Sequence, residues 1–196
     1  MKFAATKEDV FNRGVPPDSF LSALVAWGKY APDEIFDVNK EPCDIMDQIK
    51  PNLGPWRSPL HRRAALMELM RVLAGFESSW GWTEGVDTSN PGSNSPETAE
   101  AGIFQISYNS RAYGNDLKRM LQTEGIEHGE QFQVITKQDH PFALEYGARL
   151  FRHTWKHNGP LYKDRRLFPD ALQGSEHSVY PWLSRPAVNE FMELLA

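Results

Sequence analysis

The residue best placed to do acid–base chemistry is Glu77. It ends an apolar helical run, Leu66-Met67-Glu68-Leu69-Met70-Arg71-Val72-Leu73-Ala74-Gly75-Phe76. At about 100° of turn per residue, Leu66, Met70 and Leu73 point within about 40° of Glu77, whereas Glu68 points about 180° away. One glutamate therefore extends the buried stripe and the other belongs to the wet face. A carboxyl buried without a partner holds its proton more tightly, which is what a general acid needs near neutral pH. Lifting it from about 4.3 to roughly 6 costs about 2.3 kcal/mol of stability at neutral pH. The opposing reading is a helix that frays at Gly75 and turns Glu77 into water.

The elements that must position this group read mostly as helices. Ser58-Pro59 is a strong start signal, a cap hydroxyl followed by proline at the first helical position, and the helix should run to Gly75 or Phe76. Arg62 and Arg63 sit in its first turns, where the dipole does not favour cations, so surface solvation is the expectation. Upstream, residues 6–13 fit a short helix, and Asp18 caps one that carries Phe20, Leu21, Leu24, Val25 and Trp27 and stops near Pro32. Residues 32–57 read as an irregular connection with helical turns around Ile45 to Ile49.

Downstream, residues 81–100 form a polar loop or small hairpin holding Glu84, Asp87, Glu97 and Glu100, and loops of that length in compact domains are often functional. The run Ala101-Gly102-Ile103-Phe104-Gln105-Ile106 follows, and then a loop with partial helix, Ser107-Tyr108-Asn109-Ser110-Arg111-Ala112-Tyr113. Asn115 or Asp116 opens a helix closed by Gly125. Residues 126–140 are amphipathic but short in pattern. His140-Pro141 starts a helix with Ala143, Leu144, Gly147, Leu150 and Phe151 on its apolar side, and a last helix covers about Pro186 to Leu195. No repeats or heptads occur.

Composition narrows the classes. A chain of 196 residues with 40% hydrophobic and 24% charged residues can bury a sizeable core. A net charge of −5 gives no electrostatic reason to expect nucleic acid as a partner. The lone Cys43 excludes an internal disulfide framework, and no apolar run approaches a membrane span. The first residues lack the apolar core of a secretory signal, so either a signal has been trimmed, or the protein leaves the cytoplasm by another route, or it stays there. Six Trp and eleven Phe provide faces that fill cores or stack on sugar rings.

Three segments taken in order, Glu77-Ser78 at a helix end, then Gly102-Ile103-Phe104-Gln105, then Tyr146 before Asn158-Gly159, resemble the soluble lytic transglycosylases and goose-type lysozymes of the lysozyme-like superfamily. The resemblance covers roughly residues 59–160. It implies an α+β, predominantly helical, lysozyme-like fold with a small β-hairpin or loop region after the catalytic helix. Residues 1–57 become an N-terminal helical extension packed on the core, and 58–196 the catalytic domain. The implied function is cleavage of the MurNAc–GlcNAc bond of peptidoglycan, with no metal or organic cofactor. Glu77 becomes the general acid, and Ser78, Gly102, Ile103, Phe104, Gln105, Ser107, Tyr146 and Asn158 the substrate-binding set.

The chain also departs from the pattern. His157 stands where the family's third motif has tyrosine, and Ser107 where hydrolytic goose-type members place aspartate. Hydrolysis generally uses two carboxyls, whereas a lytic transglycosylase lets the sugar's own 6-hydroxyl attack and forms an anhydro product. Asp87 is the first candidate for a carboxylate that activates water, with Glu97 and Glu100 behind it. A cognate inhibitor protein is expected if the chain is an exported toxin. Three other readings stay open: a chitin or chitosan hydrolase, a non-catalytic glycan- or protein-binding module, and a metal hydrolase using His153, His157, Glu176 and His177. The last lacks the glutamate that the zincin pattern requires after the first histidine.

Overall fold

The computed structural model describes residues 2–38, 44–85, 95–153, 161 and 178–196. Among them the chain is predominantly helical, with seven α-helices: α1 Asp18–Tyr30, α2 Ile45–Leu53, α3 Pro59–Ser78, α4 Asn115–Thr123, α5 Gly129–Gln138, α6 His140–His153 and α7 Arg185–Leu195. Short 3-10 turns lie at Ala5–Lys7, Phe11–Arg13, Asp33–Phe36, Tyr108–Tyr113 and Tyr180–Trp182. No described helix is long and apolar enough to cross a membrane. The hairpin expected after α3 is reduced, among the described residues, to one isolated antiparallel bridge between Ala101 and Ile106.

Helix α3 is the axis of the molecule. The Ser58 hydroxyl accepts from the His61 N–H at 3.1 Å, and Pro59 occupies the first turn. Helices α1, α2 and α7 all pack on α3, and α6 packs on α1, α2, α4 and α5. Every α3 residue from Ala64 to Phe76 is consequently buried. The helix also runs on to Ser78 rather than ending at Gly75 or Phe76, so Glu77 lies within its last turn.

This central placement corrects two expectations. Glu68 does not face water: it is fully buried, takes two hydrogen bonds from Arg71 (2.7 and 2.8 Å) and accepts the Ser184 N–H at 2.8 Å. Periodicity separates the two faces of one helix, but α7 covers the face it assigned to solvent. Arg62 and Arg63 are not solvated either. Arg62 donates to the carbonyls of Phe36 (2.5 Å) and Asp37, and Arg63 to those of Gly28 (2.5 Å) and Ala31 (2.9 Å). Each arginine satisfies carbonyls left open where a neighbouring helical segment stops.

Residues on both sides of position 57 share one hydrophobic core, which runs from Val10 through Leu24, Ile49, Leu69 and Leu144 to Phe191. Polar ties cross the same line. Asp44 caps α2 through the Met46 N–H and also pairs with Arg152 of α6 at 2.8 Å, and Glu190 of α7 accepts the N–H groups of Ala4 and Thr6. The segment 126–140, weak in its pattern, forms α5, whose entry is closed by Gln131 accepting from the Glu127 and His128 N–H groups.

Candidate active site

The end of α3 is built to stop sharply. Ser79 (φ +50°) and Trp80 (φ +62°) both adopt the left-handed conformation, which is costly for residues with a side chain, at about 1–2 kcal/mol each. The turn sends the Ser79 N–H to the Gly75 carbonyl and the Trp80 N–H to the Ala74 carbonyl, both at 3.1 Å. It also folds the Trp80 indole back so that its N–H reaches the Arg71 carbonyl at 2.9 Å. Backbone strain of this kind gathers at functional sites, and a third example is Gln105 at φ +46°.

Segment 101–106 closes against this helix end. Ala101 and Ile106 exchange both backbone hydrogen bonds at 3.2 Å. Gly102, at φ +72°, lies so close to α5 that a Cβ there would stand 2.9 Å from the Thr136 carbonyl oxygen. The Ser78 hydroxyl donates to the Ile103 carbonyl at 2.9 Å, which clamps the loop to the residue after Glu77. Phe104 packs edge-on against Phe151 at 5.3 Å and presses on Gly147 of α6, where a Cβ would meet its ring at 2.7 Å. The lack of a side chain at Gly147 therefore decides how deep Phe104 sits.

Between these parts lies a cleft of about 250 Å³, with Glu77, Glu100, Gln105, Ser107, Asn109, Ser110 and Tyr113 as its polar lining. Leu73, Phe104, Ile106, Leu150, Phe151 and Leu161 supply the apolar part. Removal from water by this surface pushes the Glu77 carboxyl up from 4.5 to about 8. The negative charge of Glu100 adds to the rise, and Arg13 opposes it. Glu77 nevertheless keeps part of its side chain reachable from the cleft. A carboxyl that is desolvated, protonated at neutral pH and open to a ligand can donate a proton.

The site residues expected from sequence divide into two layers. Glu77, Phe104, Gln105 and Ser107 line the cleft. Ser78, Gly102, Ile103 and Tyr146 do not, and they support its wall instead. Gly102 and Ile103 are buried, Ser78 holds the loop, and Tyr146 is fully buried with its hydroxyl sharing a hydrogen bond with Ser110 at 3.0 Å. Burial pushes the Tyr146 phenol up to about 12. Asp87 and Asn158 lie outside the described residues, as do Cys43, His157, Glu176 and His177. The other loop acids stand elsewhere: Glu84 and Glu97 are exposed and contribute backbone carbonyls, to the Gly102 N–H at 3.0 Å and the Asn109 N–H at 2.9 Å.

Sequence reasoning named Ser107 but missed the rest of the wall beyond it, Asn109, Ser110 and Tyr113. Ser107, Ser110 and Tyr113 recur every third residue, and side chains three apart stack on one side of a 3-10 helix. The turn Tyr108–Tyr113 turns all three toward the cleft, so a period of three in SYNSRAY was the available signal. Among the described residues no group of three or more potential metal ligands occurs.

A larger depression among the described residues, about 730 Å³, lies elsewhere, between α4, α5 and the start of α6, among Glu124, Ile126, Val134 and His140. It is a broad hollow open to solvent, and it lacks the desolvated acid that distinguishes the smaller cleft. Comparison of the chain with protein-family models, with curated proteins and with solved structures finds no match in any of the three.

Proposed function

We propose that this protein cleaves the glycan strands of peptidoglycan at the MurNAc–GlcNAc bond, with Glu77 as the general acid. The observation that carries the reading is a cleft-lining carboxyl whose pKa is raised to about 8 by burial. Glycosidic oxygen is a poor leaving group until it is protonated, so the acid must still hold its proton at neutral pH. The lysozyme-like, α+β description belongs to this proposal. It rests on Glu77-Ser78 closing a core helix and on the Gly102–Gln105 turn that the Ser78 hydroxyl ties to it.

Under this reading Gln105, Ser107 and Asn109 offer amide and hydroxyl groups to the sugars, and Tyr113, 56% exposed, offers a ring face. The substrate lies in the cell wall, reached by lysis or by a dedicated export route, and a cognate inhibitor protein would act by filling the cleft. The test is digestion of purified sacculi followed by mass spectrometry of the soluble muropeptides. Glu77→Gln should lower release by at least about 100-fold, with a melting temperature at pH 7 equal to or above that of the wild type. Loss of fold together with activity would assign Glu77 a structural job and end the reading.

A further inference from the structure

We propose that Glu100 is the second catalytic carboxylate of this cleft, the base that takes a proton from the attacking water, which makes the reaction a hydrolysis. The inference rests on the reading of Glu77 as the acid and extends it to the other half of the chemistry. Among the described residues two carboxylates line the cleft, and they come from different elements. Glu77 is on the last turn of α3, and Glu100 immediately precedes the Ala101–Ile106 bridge.

The residues on either side of Glu100 are fixed in place. The Ala99 N–H is anchored to the Ser95 carbonyl at 2.8 Å, and Ala101 is held by its two bonds to Ile106. Both alanines are buried, at 5% and 2% exposure. Glu100 between them is half-buried and lines the cleft. The two carboxylates are close enough for the charge of one to raise the pKa of the other. That coupling separates their roles, since like charges sharing a site favour one protonated and one ionised partner.

The step balances without any co-reactant. Glu77 gives its proton to the glycosidic oxygen, and the bond from that oxygen to C1 breaks. Water attacks C1, its oxygen forms the new bond, and its proton passes to the Glu100 carboxylate. Exchange with solvent then returns Glu100 to its ionised form and Glu77 to its protonated form. The product carries a free reducing end, whereas attack by the sugar's own 6-hydroxyl would leave an anhydro end and need no second carboxylate.

The wild-type protein is therefore incubated with purified sacculi in water enriched in heavy oxygen, and the products are read by mass spectrometry. The expected result is reducing ends that carry the heavy isotope at C1. Anhydro ends would overturn the inference while leaving Glu77 as the acid, and intact sacculi would remove both. Glu100→Ala and the near-isosteric Glu100→Gln should each lose at least about 100-fold in rate, with melting temperature unchanged. Added azide should restore turnover in Glu100→Ala and yield a glycosyl azide, because a small anion can take the place of the missing base and water. Activity within a few-fold of the wild type, or a loss that azide does not restore, overturns the assignment.

Discussion

Glu68 and Glu77 share one helix and both are taken from water, yet they are opposites in every other respect. Burial pushes the Glu68 carboxyl up, while the Arg71 guanidinium and the Ser184 N–H pull against it. Glu77 has the apolar wall of the cleft around it and a second negative charge nearby. The first arrangement holds α7 to α3. The second holds a proton. Burial alone does not mark a functional acid. The proposal for Glu77 rests instead on burial combined with an open cleft and, among the described residues, no ion-pair partner.

The contrast is sharpened most by breaking the paired site. Arg71→Met leaves the Glu68 charge in the core without its partner and should cost about 3–5 kcal/mol, read as a lower urea midpoint. Replacing both members, as in Glu68→Leu with Arg71→Met, should recover much of that loss. A small effect from the single change would mean that water reaches Glu68 and that the two sites differ less than the geometry implies.

Titration separates the two glutamates next. Glu77 binds its proton more tightly in the folded chain than in the unfolded one, where its value is near 4.5. Below about 4.5 both forms are protonated, so the group costs nothing; as pH rises from there through about 8 it should destabilise the fold, by an amount on the order of a few kcal/mol, and level off above. The measurement is the difference in unfolding free energy between the wild type and Glu77→Gln across that range, which cancels other titrating groups. A flat difference would show that Glu77 ionises as freely as a surface carboxyl. Cleavage should fall over the upper part of the same window, as the acid loses its proton.

The smallest effect tests how the unpaired site is held. Ser78→Ala removes the hydroxyl that donates to the Ile103 carbonyl. It should cost about 1 kcal/mol of stability and a larger share of activity, seen as a slower fall in sacculus turbidity with a nearly unchanged melt. Equal losses in both would make Ser78 an ordinary packing contact.

Much of this contrast was legible in the residues. Ser58-Pro59 marked the start of α3, and the stripe Leu66, Met70, Leu73 aimed Glu77 inward. The environment of Glu68 was not legible, because helical periodicity ranks the faces of one helix and does not report how many neighbours surround it. Arg62 and Arg63 were misjudged for the same reason: they reach carbonyls of Gly28, Ala31, Phe36 and Asp37, distant in the chain and carrying no side-chain signature, and Arg63 also pairs with the Asp33 carboxylate at 2.5 Å. Within the loop acids, Glu100 could be told from Glu97 only once the fold put the first in the cleft lining and left the second exposed. Ser107 was named from sequence, but Ser110 and Tyr113 were hidden by a period of three rather than 3.6.

Arg71 joins the two glutamates. Its guanidinium neutralises Glu68, and its main-chain oxygen is the hook from which the Trp80 indole hangs at the far end of the helix. A disturbance of the ion pair that shifts this stretch of backbone is therefore transmitted through one aromatic side chain to the turn that presents the acid. Changes made separately at the two ends should not add, and the sum of their effects will misjudge the double variant. In this protein the buried ion pair and the cleft carboxyl form a single mechanical unit.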